Sequence, residues 1–209
     1  MNITYLGHAC FKLDKNNFSM IIDPYKSGSV PGLSPLKETA NVAISSHKHE
    51  DHFGVDEVKL SFARVDTPFG MEFIDTFHDD KEGALRGPNR ISIITADDLK
   101  IVHMGDIGCM ISDEDLEKIV GCDVLMIPVG GFFTIDANQA YEYYSKIKPG
   151  IVIPMHYRSE GIGYDVIGTV DSFIKLFDDA DVVKCDSKIE LDKKPEAGKV
   201  MVMPPLNRK

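Results

Sequence analysis

The feature that most constrains the fold is a short run of metal-binding side chains between Ser46 and Gly54. It directly follows the apolar segment 41–45, which is typical of a buried strand. Four candidate ligands fall within six positions: His47, His49, Asp51 and His52. Because side chains alternate along an extended chain, the first two can bind one ion and the last two a neighbouring one. Imidazole and carboxylate ligands suit Zn²⁺, Mn²⁺ or Fe²⁺, so the run predicts a metal site.

Three more candidate ligands follow predicted strands later in the chain, in the order His78, Asp106 and His156. With the H-x-H-x-D-H run, this order resembles the metallo-β-lactamase superfamily. The resemblance implies a four-layer αββα sandwich of the α/β class with the site at the edge between two sheets. It also implies two divalent metal ions. The implied ligands are His47, His49 and His78 for the first ion, Asp51, His52 and His156 for the second, and Asp106 as the bridge.

Within that superfamily, the chain is similar to the small single-domain branch that resembles ascorbate-6-phosphate lactonase. Three segments carry this similarity: Tyr5–Ala9, Gly83–Asn89 and Ile127–Gly131. Position 49 is histidine, where the di-iron flavoprotein oxygen reductases of the superfamily carry glutamate, which argues against a redox function. The resemblance therefore implies a hydrolase with zinc as the first choice of metal and manganese or iron as alternatives.

The hydrophobic pattern indicates an α/β protein that forms one domain over residues 1–209. The predicted strands are 2–6, 9–13, 18–22, 41–45, 62–66, 71–77, a hairpin over 90–104 that turns at Asp97-Asp98, 123–128, 151–155, 187–191 and 199–203. Helices are predicted to begin after the capping residues Ser112 and Asp136, and a third is predicted around Val170 to Phe177. We expect the loop 25–37 to be flexible and the tail 204–209 to be loose.

The composition limits the classes of partner that this chain is expected to bind. The net charge of −10 disfavours binding to a long nucleic acid, because phosphate contacts need clustered lysine and arginine. No apolar run approaches the roughly 20 residues that span a bilayer, and the first residues do not resemble a signal peptide. The four cysteines show no C-x-x-C pairing and are expected to be reduced thiols. These features predict a cytoplasmic protein with a small-molecule substrate and no membrane partner, and they leave the oligomeric state open.

The implied mechanism is hydrolysis by a water shared between two metals about 3.5–4 Å apart, which lower its pKa. Asp51 would bind metal and orient or deprotonate this water. His8 is the candidate donor of the leaving-group proton, because it follows a strand expected to end near the site. Arg86 and Arg158 could bind an anionic group of the substrate through their guanidinium groups. His103 is expected to point away from Asp106 because strand side chains alternate.

Three functions remain open at this point. The first is hydrolysis of a small anionic lactone, ester or phosphodiester. The second is a nuclease or cyclic-nucleotide phosphodiesterase that uses the same metal site. The third is a protein whose metals serve only structure or sensing. Turnover of a substrate separates the third from the other two. Lys48 and Glu50 alternate away from the ligands and are expected to face solvent.

Overall fold

A computed structural model describes residues 1–61, 65–196 and 198–209. In chain order its strands are β1 (Asn2–Gly7), β2 (Cys10–Lys15), β3 (Phe18–Ile22), β4 (Thr39–Ala40), β5 (Val42–Ile44), β6 (Lys59–Leu60), β7 (Gly70–Phe77), β8 (Pro88–Ala96), β9 (Leu99–His103), β10 (Val124–Pro128), β11 (Ile151–Met155), β12 (Val182–Lys184), β13 (Lys188–Glu190) and β14 (Lys199–Val202). The helices are α1 (Asp113–Ile119), α2 (Ala137–Ile147) and α3 (Asp171–Ile174). Single 3-10 turns lie at Val55–Glu57 and Asp179–Asp181.

Two sheets form the centre of the described part of the chain. One has five strands in the order β13-β1-β2-β3-β5, and the other has seven in the order β12-β14-β11-β10-β9-β8-β7. Strands β7, β8 and β9 pair antiparallel, whereas β9, β10, β11, β14 and β12 pair parallel. The parallel strands therefore end at one edge of the sheet, where residues just after them can meet.

The middle of the larger sheet is covered on both faces. Every residue of β10 and β11 is buried, as expected for apolar parallel strands between two layers. Met126 and Ile153 belong to the cluster that fills the space between the sheets. Leu125 and Val152 point the other way and pack in the cluster that includes residues of all three helices. Side chains alternate along β10 and β11, so one face of these strands packs in the inter-sheet core and the other face packs against the helical layer.

The fourth layer, outside the five-stranded sheet, is built differently from the helical one. Val30, Leu33 and Leu36 of the predicted flexible loop are buried there with Tyr25 and with Val58, next to the 3-10 turn. The expectation of a flexible loop is wrong in this respect, because its apolar side chains cover the sheet.

The C-terminal tail is also tied down, which contradicts the prediction of a loose end. The backbone N–H of Leu206 donates to the Tyr5 carbonyl at 3.0 Å, and that of Lys209 donates to the Gly32 carbonyl at 3.0 Å. The tail therefore joins β1 to the loop that covers it.

Most predicted elements are confirmed, including the turn between β8 and β9 at Asp97-Asp98 and the caps of α1 and α2. Asp136 and Gln139 form a reciprocal capping box, with each side chain accepting from the backbone N–H of the other residue. The third helix covers only Asp171–Ile174. Of the predicted strand 62–66, residues 62–64 lie outside the described residues, and 65–66 are not in a strand. Among the described residues, no helix has the length and hydropathy to cross a membrane.

Candidate metal centre

One end of the sandwich brings together all the side chains that the sequence predicts as metal ligands. Each lies in a loop directly after a strand: the first four follow β5, and the others follow β7, β9 and β11. These residues are His47, His49, Asp51, His52, His78, Asp106 and His156. Residues separated by more than a hundred positions meet here because the strands before them end at the same side of the molecule.

The donor atoms of the predicted ligands form two groups, and a third set made of Asp23, His47 and His52 overlaps both. Within each group the donor atoms lie no more than 4.8 Å apart: His47, His49 and His78 make up one, and Asp51, His52, His156 and His8 the other. Asp106 lies between them. Its Oδ2 is 3.1 Å from Nε2 of both His52 and His156, and 3.2 Å from Nε2 of His78. One carboxylate oxygen therefore touches imidazoles of both groups.

The electrostatics of the centre match the needs of a bound cation. Among the described residues, Asp106 Oδ1 is buried without a hydrogen-bond partner. Burial and the neighbouring His52 lower the pKa of His47 to about 3, so its imidazole is neutral at neutral pH, as a metal ligand must be. Burial opposes ionisation of Asp106, but His156 and His52 outweigh it and hold its pKa well below the usual value. Neutral imidazoles and ionised carboxylates with unused lone pairs are the donor set that Zn²⁺ and similar ions bind.

The surroundings of His52 also favour a positive charge. Burial disfavours its charged form, yet Asp106, Asp51 and Asp23 together raise its pKa well above the ordinary value. The carboxylates that favour a proton on this ring would favour a metal cation at the position that Nε2 faces for the same reason.

Asp23 orients His52 from behind. Its fully buried Oδ2 accepts the Nδ1–H of His52 at 2.7 Å and the hydroxyl of Ser46 at 2.6 Å. Oδ1 accepts the backbone N–H of Ser46 at 2.6 Å. A proton fixed on Nδ1 leaves the Nε2 lone pair for a metal, which is the usual effect of such a carboxylate. The sequence analysis missed Asp23, although a carboxylate directly after the apolar strand β3 was the available signal.

Asn89 and Gly105 hold Asp106 in a similar way. The Asn89 carboxamide oxygen accepts the backbone N–H of Asp106 at 2.9 Å, and its nitrogen donates to the Met104 carbonyl at 2.9 Å. Gly105 has a φ of +56°, and a Cβ there would lie 2.3 Å from Asn89 Oδ1 and 2.6 Å from Ser46 Cβ. The turn between β9 and Asp106 is therefore packed closely on both sides, and only glycine fits at position 105.

His8 lies beside Asp51, as its place after β1 suggested. Its Nε2 is 3.0 Å from Asp51 Oδ2, and its ring centroid is 4.0 Å from that of His156. Burial and the neighbouring His156 lower its pKa to about 4, so the ring is neutral at neutral pH and can donate its single proton to Asp51. The contact orients the Asp51 carboxylate. The function of His8 as a proton donor to the leaving group stays a prediction.

The centre opens into a pocket of about 330 Å³. Its walls are Leu85, Arg86, Phe133 and Tyr164, and its floor is formed by predicted ligands. Tyr164 donates its hydroxyl proton to the Ser29 carbonyl at 2.9 Å, and burial together with Asp51 raises its pKa. Sequence reasoning found Arg86 but missed the two aromatic residues, which come from loops with no motif.

Two other candidates lie elsewhere. Arg158 lines a different cavity, together with Glu160 and Asp165, and its Nε donates to the Ile167 carbonyl at 3.3 Å. The structure does not bring it to the metal pocket. His103 donates from Nε2 to the Ala9 carbonyl at 2.9 Å and accepts the Gly105 N–H at Nδ1. Both of its nitrogens are used within the core, as the strand alternation predicted.

Comparison with known proteins places this geometry in a family. Residues 2–156 match the family described as β-lactamase superfamily domain. A metal-dependent hydrolase of Desulforamulus reducens is 26% identical over 195 residues, covering 76% of this chain and 85% of that protein. A metal-dependent hydrolase of Nanoarchaeum equitans is 28% identical over 191 residues, again covering 76% of this chain and 85% of that protein.

A solved structure extends the match to almost the whole chain. A candidate Zn-dependent hydrolase of the metallo-β-lactamase superfamily from Thermotoga maritima is 31% identical, with a TM-score of 0.76. The alignment covers 97% of each chain, so the similarity extends over the whole sandwich. The chain therefore belongs to the metallo-β-lactamase superfamily and is one of its metal-dependent hydrolases.

Proposed function

We propose that this chain, folded as one domain, is a hydrolase with two divalent metal ions, with zinc as the preferred metal. His47, His49 and His78 would hold one ion, Asp51, His52 and His156 would hold the other, and Asp106 would bridge them. The observation that carries the proposal is the position of Asp106 Oδ2, which lies 3.1–3.2 Å from imidazoles of both groups. Imidazole and carboxylate donors suit Zn²⁺ and also accept Mn²⁺ or Fe²⁺.

Two ions held in this way would supply a water of lowered pKa and would polarise the oxygen of the bond that is cleaved. The residues of the chain provide the orientation. Asp51 has a side chain 14% exposed, at the floor of the pocket, and its Oδ2 is held by His8 at 3.0 Å. A carboxylate fixed at that place can accept a hydrogen bond from the attacking water and align it with the substrate. His52, held through Asp23, keeps its Nε2 directed at the same centre.

The substrate that fits best is a small anionic ester, lactone or phosphodiester. The pocket volume of about 330 Å³ admits a metabolite of modest size but not a folded polymer. Arg86 supplies a positive charge at the wall, while Leu85, Phe133 and Tyr164 supply apolar surface. The net charge of −10 weakens the case for a long nucleic acid as substrate.

The test is turnover by the zinc-loaded protein on a panel of nitrophenyl esters, small lactones and bis(4-nitrophenyl) phosphate, compared with Asp51→Asn. This variant keeps the size of the side chain and removes its charge. We expect hydrolysis of at least one class by the wild type and a loss of kcat of about a hundredfold or more in the variant. Full activity of a folded Asp51→Asn protein would contradict the assigned role. Turnover of the phosphodiester alone would favour a nucleotide as the substrate.

A further inference from the structure

A second cavity of about 420 Å³ lies next to the metal pocket, on the side of His47 and His49. It shares His49 and Arg86 with the metal pocket, so the two spaces adjoin at these side chains. A ligand that extends from the metal centre past Arg86 would therefore reach this cavity. Asp75 and Arg90, which also line it, lie outside the segments that carry the family resemblance.

The second cavity is locally basic in an acidic protein. Its described lining carries three cationic side chains, Lys48, Arg86 and Arg90, and one carboxylate, Asp75. Asp75 accepts a hydrogen bond from Arg90 Nε at 2.9 Å and thereby uses only one of the guanidinium nitrogens. The chain as a whole has a net charge of −10, so the sign of the charge reverses at this cavity.

The three cations retain donors for a ligand. Within the described parts of the chain, the Lys48 ammonium has no ion-pair or hydrogen-bond partner. Arg86 uses one terminal nitrogen to donate to the Phe132 carbonyl at 2.9 Å, and its guanidinium carbon lies 5.8 Å from the centroid of the Phe133 ring. These contacts fix the plane of the Arg86 guanidinium and leave its other N–H groups available. A planar fork held in this way is suited to a carboxylate or a phosphate.

Asp79 fixes the loop that carries Arg86. Its Oδ1 accepts the backbone N–H of Lys81 at 2.8 Å and of Gly83 at 3.0 Å. Its Oδ2 accepts the backbone N–H of Leu85 at 3.0 Å and of Arg86 at 2.7 Å. The buried Asp79 carboxylate thus accepts four backbone N–H groups of the segment 81–86, and the bond from Arg86 is the shortest of the four. The backbone of Arg86 is therefore held in place before a substrate arrives.

We infer that this second cavity is an anion subsite in which Lys48, Arg86 and Arg90 bind a carboxylate or phosphate group of the substrate that does not react, with Asp79 as the residue that positions Arg86. The inference rests on the proposed function and adds a substrate class to it. The substrate has its scissile ester, lactone or phosphodiester bond at the metal centre and a second anionic group on the side of His47 and His49. Lys48, expected to face solvent, becomes part of this subsite.

Two matched esters test the subsite by kinetics. 4-Nitrophenyl butyrate and mono-4-nitrophenyl succinate have acyl chains of equal length, and only the second ends in a carboxylate. We expect Arg86→Gln to raise KM for the succinate roughly 10- to 100-fold and to change KM for the butyrate by less than about threefold. Lys48→Gln should act in the same direction, by about two- to fivefold, because its ammonium is exposed. Lys146→Gln, on the exposed face of α2, is the matched control and should change neither value.

The positioning role of Asp79 has its own readout. Asp79→Asn should raise KM for the succinate while kcat and metal content stay close to those of the wild type. Asp80→Asn, a neighbouring carboxylate that is 70% exposed, is the control. If Asp79 acts through Arg86, the double variant should be no worse than Arg86→Gln alone. Additive effects of the two substitutions would overturn the positioning role.

A binding measurement separates the subsite from the hydrolase proposal. Inorganic phosphate is titrated into the chelator-treated protein, and the arginine Nε–H signals are followed by NMR. We expect shifts at Arg86 and Arg90 in the wild type, and we expect the Arg90 shift to weaken in Arg86→Gln. If the wild type hydrolyses neither ester, this titration alone decides, and an absence of shifts overturns the subsite. If both esters are hydrolysed with equal kcat/KM and Arg86→Gln changes neither, the subsite is wrong although the hydrolase proposal stands.

Discussion

Replacing Asp23 with asparagine removes the charge behind His52 and keeps the size of the side chain. In the native protein Asp23 accepts three hydrogen bonds, two from Ser46 and one from the Nδ1–H of His52. Asparagine can still accept the Ser46 N–H through its oxygen, but its amide nitrogen then faces His52 as a donor. His52 must accept at Nδ1 and carry its proton on Nε2, which is the atom directed at Asp106. The substitution therefore favours the tautomer that cannot bind a metal.

The expected loss follows from this change of tautomer. Removing a carboxylate that orients a histidine ligand lowers metal affinity about 10- to 100-fold, which corresponds to about 1.4–2.8 kcal/mol. A chromophoric chelator in competition with the protein measures the affinity of each site. Since the change acts through His52, the weaker site should be the one shared with Asp51 and His156.

Asp123→Asn is the matched control for a buried carboxylate. Asp123 is 8% exposed and accepts the backbone N–H of Lys100 at 2.7 Å, outside the metal centre. This variant should lose some stability and keep both metal affinities. If Asp23→Asn binds both metals within about twofold of the wild type, the reasoning about the tautomer is refuted.

Two further predictions concern the packing that places the ligands. Gly105→Ala should reduce both stability and metal content, because the alanine Cβ would lie 2.3 Å from Asn89 Oδ1 and φ at this position is +56°. Unchanged metal content in a folded variant would show that the turn can relax. Ile153→Ala, in the fully buried centre of β11, should lower the free energy of unfolding by about 2–5 kcal/mol with little effect on metal stoichiometry, as measured by urea denaturation; a loss below about 0.5 kcal/mol would mean that the inter-sheet core repacks around the gap.

The candidate ligands could be named from the sequence because each lies in a locally recognisable segment. His47 to His52 form one continuous motif, and His78 and His156 each directly follow a strand with a clear apolar pattern. Strand ends are visible from hydrophobic periodicity, and a parallel arrangement brings such ends together. The architecture followed from the family resemblance, because periodicity alone did not give the order of strands.

The walls of the site were not predictable in the same way. Tyr164 reaches the pocket because Gly163 donates to the Pro31 carbonyl at 2.9 Å and the Tyr164 hydroxyl donates to that of Ser29. These contacts join loops more than a hundred residues apart, and neither loop has a regular pattern. Arg158 shows the converse: it lies two residues after His156, yet the chain turns at His156, where φ is +51°, and its side chain faces another cavity. Proximity in sequence to a ligand did not give proximity in space.

The most direct test of the account is the metal stoichiometry of the purified chain, determined by elemental analysis and native mass spectrometry after loading with zinc, for the wild type and for Asp106→Ala. The position of Asp106 Oδ2, 3.1–3.2 Å from imidazoles of both ligand groups, predicts about two ions per wild-type chain. It also predicts that the folded variant loses at least one of them. One ion or none in the loaded wild type, or two ions retained in Asp106→Ala, would contradict a centre in which this carboxylate joins two metal sites.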